Sequence, residues 1–195
     1  MSWVNSDLLF LPVGGSEEIG MNANLYHYQD KWILVDLGIS FPDETDLGID
    51  VLLPDFDFIQ SLGDKFLGIL LTHGHEDHIG AIPYFADKIN CPIWGTAFTI
   101  ALLKRKLRES NNNTKLVLNV LSIGKKLKLG DFIINTIQTS HSIPDPVSFL
   151  ISTKVWVSAN KVIKHFWLFL RSLSCIGSSG RLAGKKSPKF RPNPP

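Results

Sequence analysis

The chain has 195 residues, a formal net charge of +2, 44% apolar residues and two cysteines. That length suits one or two domains with a buried core. Cys91 and Cys175 make neither a metal spacing nor a disulfide framework, residues 1–5 lack the regions of a secretory signal, and no run reaches the ~18 apolar residues of a membrane span, so a cytoplasmic protein without membrane association is expected.

Residues 8–13 form a short apolar run closed by Gly14-Gly15, which predicts a strand and turn. Residues 24–28 and 32–36 flank Gln29-Asp30-Lys31 and predict a hairpin. Residues 37–54 are rich in Gly, Pro and Asp, the composition of a long loop. Residues 66–71 are nearly all apolar and predict a buried strand. Residues 79–89 have helical character despite Pro83, and residues 91–94 predict the next strand. The best helix spans residues 96–109: it is apolar on one face, with Lys104, Arg105, Lys106 and Arg108 toward the end where cations suit the helix dipole. Residues 111–114 are polar and break it; residues 116–121, 126–129, 132–139 and 147–152 read as strands. Strands and helices mixed in this way predict an α/β layered sandwich.

Charge divides the chain. Residues 1–145 carry 18 acidic and 11 basic side chains, whereas residues 146–195 carry nine basic and no acidic ones. A change of sign at one point marks a boundary. Residues 162–175 are apolar and basic without clean periodicity, and residues 178–195, rich in Gly, Ser, Lys and Pro, are expected to be disordered. The expected organisation is one unit over residues 1–152 and a divergent basic tail over residues 153–195. There are no internal repeats.

The strongest chemical signal is Thr72-His73-Gly74-His75-Glu76-Asp77-His78. Half of the chain's six histidines fall in this loop, after a predicted strand and before a predicted helix. Imidazoles and a carboxylate at such density are ligands suited to Zn²⁺. His73 and His75, two apart, project to one side of extended backbone. Asp77 and His78 follow after the chain turns, so they can face a second metal. Gly74 permits the tight bend between ligands. A catalytic zinc takes three protein ligands, which makes His141 the candidate to complete the site begun by His73 and His75. Asp36 ends an apolar strand, where a carboxylate requires a partner. It is expected to accept the free ring N–H of a metal-bound histidine and so orient it. Glu76 is expected to be a solvated loop carboxylate, and His27 and His165 to be structural or incidental.

Several segments together resemble the bacterial ribonuclease J family. They are residues 14–22 with Glu18-Ile19-Gly20-Met21-Asn22, residues 32–38 with Asp36-Leu37-Gly38, Phe41-Pro42, the histidine loop, residues 80–84, and Thr139-Ser140-His141-Ser142-Ile143-Pro144-Asp145. The HxHxDH loop is shared by many metallo-β-lactamase-fold hydrolases; the first and last segments are much narrower. The resemblance covers roughly residues 8–152. It implies a partial αββα metallo-β-lactamase-type sandwich with a two-zinc site that cuts RNA phosphodiesters by 5′ exonuclease and endonuclease action. It further implies RNA as partner and homo-oligomers in the intact family. By position, His73, His75 and His141 would hold one zinc and Asp77 and His78 the other, with Asp77 also catalytic and Asp36 supporting the ligands. Zinc lowers the pKa of bound water toward ~7, and two zincs clamp attacking and leaving oxygens, which suits phosphodiester hydrolysis.

The resemblance stops near Thr153. In the family a later aspartate bridges both metals, a later histidine completes the second site, and a nucleotide-binding β-CASP domain follows. No acidic residue follows Asp145 here. A disrupted reading frame near Thr153 is the expected origin of the change, with a basic RNA-binding tail as the alternative. The chain is then expected to hold one zinc or fewer well and to hydrolyse RNA poorly. Two other readings stand beside it: a non-catalytic fragment with a residual metal site, and a small-molecule hydrolase of the same fold.

Overall fold

A computed structural model describes residues 8–15, 20–43, 47–110, 114–154 and 157–160. β1 (Leu9–Gly14), β2 (Ala23–Tyr28) and β3 (Lys31–Val35) form an antiparallel meander, with the β2–β3 turn at Gln29 and Asp30. Both turn residues take positive φ, as a tight hairpin requires. β4 (Phe66–Leu70), β5 (Ile93–Gly95) and β6 (Leu118–Val120) then add in parallel, giving one six-stranded sheet in chain order. Parallel neighbours need crossovers. α1 (Asp57–Ser61), α2 (Glu76–Ile79) and α3 (Ala97–Glu109) lie in them. β7 (Lys126–Leu129), β8 (Phe132–Gln138), β9 (Val147–Ser152) and β10 (Val157–Asn160) form a second, antiparallel sheet in the order β10-β9-β8-β7.

Period-two alternation assigns the faces. Tyr26, Tyr28, Ile33, Val35 and Leu70 pack against Leu129, Phe132, Ile134, Val147, Phe149 and Ile151, so one apolar core lies between the sheets. The alternate residues Ala23, Leu25, Trp32, Leu34, Ile69 and Ile93 face Ile59, Ile79, Ile82, Leu103 and Leu107, forming a second core under the helices. This is the layered α/β sandwich that the pattern predicts.

Residues 79–89 depart from the expected helix. α2 ends at Ile79, and a separate 3-10 turn, Ile82–Phe85, follows. Pro83 offers no N–H and its ring collides with the carbonyl four residues back in a continuous helix. α1 and the 3-10 turn Gly63–Lys65 were not anticipated. Beyond Ser152 the sheet continues into β10, which pairs antiparallel with β9. Residues 161–195, and with them the expected disorder and His165, lie outside the described residues.

Candidate metal centre

The centre is built at the carboxyl ends of parallel strands, where open α/β sheets place their sites. Val35 of β3 pairs with Leu70 of β4, and the Asp36 N–H donates to the Leu70 carbonyl at 2.9 Å. Asp36 then turns the chain with φ 63°, a conformation aspartate tolerates better than most residues. Its buried carboxylate accepts the Thr72 N–H and the Thr72 hydroxyl, each at 2.8 Å, and His78 Nδ1–H at 2.7 Å. Three donors answer the desolvation of the charge. One carboxylate thereby fastens the start of the histidine loop to its end.

Between those ends the backbone stays extended through His75 (φ −73°, ψ 157°), which caps α2. His73 is fully buried, His75 partly so, and His141 exposed. Their ligand atoms all lie within 4.8 Å of one another, and His73 Nε2 is 3.1 Å from His75 Nδ1. The His141 ring centroid stands 4.7 Å from that of His73 and 4.8 Å from that of His75. Two hydrogen bonds bring its loop in: Val147 N–H to the Thr72 carbonyl at 2.9 Å, and Thr139 N–H to the Pro146 carbonyl at 3.1 Å. Gly74 sits under Leu102, where an added Cβ would come within 2.7 Å of Leu102 Cδ2.

The electrostatics suit a cation. Burial, then the neighbouring imidazoles, push His73 down to about 3. Burial and then His141 also lower His75. Both are therefore neutral near pH 7, the form that ligates a metal. The Thr72 hydroxyl donates to Asp36 and accepts from His73 Nδ1 at 3.0 Å, which leaves the Nε2 lone pair aimed at the cluster. Nitrogens ~2.0–2.1 Å from one zinc lie ~3.4 Å apart in tetrahedral geometry, close to the 3.1 Å between His73 Nε2 and His75 Nδ1, and His141 adds a third ligand atom within 4.8 Å of both.

Asp77 and His78 lie side by side in α2. His78 Nε2 is 3.4 Å from Asp77 Oδ2, and its other nitrogen is held by Asp36. Burial opposes charge on His78, but the Asp36 and Asp77 carboxylates outweigh it and hold the ring up at about 9. The hydrogen bond from His78 in turn lowers Asp77. Asn22 organises this half. Its amide lies 3.0 Å from the Asp77 carbonyl, 3.3 Å from Asp77 Oδ2 and 3.2 Å from His78 Nε2, and its backbone N–H donates to the same carbonyl at 2.9 Å. Asn22 entered the sequence analysis only as part of a resembling segment. Its sole sequence signal was its place at the end of Glu18-Ile19-Gly20-Met21, since nothing local relates it to a loop over fifty residues away.

Other residues depart from or extend expectation. Glu76 is not simply solvated: it is ion-paired with Lys106 of α3. His27 is buried against Trp32, with ring centroids 4.6 Å apart, away from the triad on β2.

Residues 20–163 match the family model described as the metallo-beta-lactamase superfamily. The chain is 34% identical over 155 residues to ribonuclease J of Sinorhizobium meliloti, covering 77% of this chain and 28% of that protein. It is 34% identical over 149 residues to ribonuclease J 2 of Staphylococcus aureus, covering 76% and 27%. The chain thus spans just over a quarter of the length of these relatives. Among solved structures, the metallo-beta-lactamase fold protein YhfI from Bacillus subtilis superposes with a TM-score of 0.55 at 18% identity, over 79% of this chain and 62% of that one. With its two packed sheets, its helix layer and its histidine loop at the strand ends, the chain belongs to the metallo-beta-lactamase superfamily, as a ribonuclease J-like protein.

Proposed function

We propose that the chain is a zinc-dependent hydrolase acting on RNA phosphodiesters, by 5′ exonucleolytic and endonucleolytic attack. The observation that carries this is the convergence of His73, His75 and His141 on one point in a chain similar to ribonuclease J. His73, His75 and His141 hold one zinc; Asp77 and His78 hold the second. When bound, the metal supplies Lewis-acid chemistry, acidifying water and neutralising charge on a phosphate oxygen. The chain's own residues arrange that chemistry. Asp36 accepts the hydrogen bond of His78 Nδ1–H and so turns Nε2 toward Asp77, an orienting bond of the kind that tunes ligands. Asn22 fixes the Asp77 backbone. Asp77 serves both as ligand and as the carboxylate beside the reacting phosphate.

Only two side chains, Asp77 and His78, face the second point among the described residues, so slow turnover is expected. RNA is the proposed partner, in a cytoplasmic setting and with assembly into homo-oligomers. No helix among the described residues is long and apolar enough to cross a membrane. The test offers the zinc-loaded chain 5′-monophosphorylated single-stranded RNA beside a H73A/H75A control. Slow, zinc-dependent cleavage that vanishes in the control is the expected result. Intact RNA combined with hydrolysis of a β-lactam or small ester would instead make the chain a small-molecule hydrolase of the same fold.

A further inference from the structure

Charge is concentrated around the end of α3. Five of the eleven cations in residues 1–145 fall at Lys104, Arg105, Lys106, Arg108 and Lys115. Two of them are engaged: Arg105 Nε lies 2.7 Å from Glu109 Oε1, and Lys106 is paired with Glu76. Lys104, Arg108 and Lys115 are exposed and make no salt bridge among the described residues. These three line an open groove of about 510 Å³ floored by Leu107, Leu116 and Leu118. No acidic side chain lines it, although acids outnumber bases by 18 to 11 in this part of the chain.

The neighbouring carboxylate, Glu109, is engaged by Arg105; three like charges in a groove with no acidic lining repel one another, and an anionic partner relieves that repulsion. Their arrangement around an apolar floor narrows the partner's chemistry. A small inorganic anion would use the cations and leave the leucines idle. A polymer that alternates phosphates with flat, largely apolar bases uses both. We propose that this groove holds a stretch of single-stranded RNA, with phosphates against Lys104, Arg108 and Lys115 and a sugar or base on the leucine floor. The proposal rests on the RNA-hydrolase reading, and the groove shares no residue with the metal centre.

The test measures binding rather than cleavage. The full chain in EDTA is titrated against fluorescein-labelled oligouridylate at several salt concentrations. Two variants are compared: K104E/R108E/K115E and a control K125E/K126E/K128E with the same charge change at exposed lysines around the start of β7. The groove variant is expected to lose about tenfold in affinity, with a salt slope shallower by about 2, as loss of three phosphate contacts on a single strand requires. The control is expected to bind like the unaltered chain. Unchanged binding by the groove variant overturns the proposal, as does an equal loss in the control. Displacement of the RNA by polyglutamate at equal charge concentration also overturns it, in favour of an acidic polypeptide. If the groove variant behaves as expected but the zinc-loaded chain cleaves no RNA, the hydrolase reading fails and the groove stands.

Discussion

Asp36 Oδ2 stands 2.7 Å from His78 Nδ1, although 42 residues separate the two in the chain. Both are buried, and the same carboxylate holds Thr72. Asp36→Asn isolates the charge, because asparagine also tolerates the positive φ at this position. The His78 pKa is expected to fall well below about 9, read by NMR titration of the ring protons in metal-free protein. Asp36→Ala additionally strands the Thr72 donors and the His78 ring, and should cost ~3 kcal/mol or more in chemical denaturation. A His78 that still titrates near 9 in the asparagine variant would show that Asp36 does not set its charge.

Zinc should bind unequally. Three side chains converge at the first point, whereas the second point proposed above rests, among the described residues, on Asp77 and His78 alone. Competition titration with a chromophoric chelator is expected to show one tight equivalent and one weaker. His141→Ala should lower the tight affinity by more than ~100-fold, beyond what removal of a supporting partner typically costs. Two equally tight sites, or a tight site indifferent to His141→Ala, would contradict the assignment.

Gly38 is the closest backbone contact in the centre. A Cβ there would lie 1.8 Å from the Asp77 carbonyl oxygen and 2.0 Å from its carbon. Retreat is blocked, because the flanking bonds Leu37 N–H to His78 O and Ile39 N–H to Glu76 O, at 2.8 and 3.0 Å, zip the two segments together, while Gly38 N–H is held by Asn22 O at 3.0 Å. Gly38→Ala should therefore destabilise by at least the ~1–3 kcal/mol typical of overpacking, and should weaken the second metal. An unaltered melting temperature and zinc titration would show that the segments can part cheaply.

Two histidines give the metal-free chain opposite pH dependences. His73 is depressed to about 3, so below the ordinary value of 6.5 the unfolded chain takes a proton that the folded one refuses, and stability falls as pH drops from 6.5 toward 3. His78 is raised to about 9, so its contribution is full below 6.5 and is lost as pH rises through 9. Thermal melts in EDTA should peak near pH 6.5, and His73→Ala should flatten the acid limb selectively. A stability plateau from pH 4 to 9 would refute both assignments.

Local pattern determined much of this protein. Short apolar runs specify β2, β3 and β9 and an alternating one β8, the cationic end of residues 96–109 specifies α3, and the crowding of His73, His75, Asp77 and His78 announces a metal loop, because each signal is confined to one short segment. Pro83 also carried a local signal, and its veto on the helix over residues 79–89 should have outweighed the apolar spacing there. The remaining features depend on contacts between distant segments. Parallel pairing of β3 with β4 sets Asp36 beside Thr72 and His78, closure of β9 onto Thr72 carries His141 to the triad, and Asn22 and Lys106 reach Asp77 and Glu76 from other elements. A lone carboxylate, amide or lysine has no periodicity to betray its partner. Its role is settled only when the sheet register places a second charge or an unpaired N–H within hydrogen-bond reach and burial removes the water that would otherwise satisfy it.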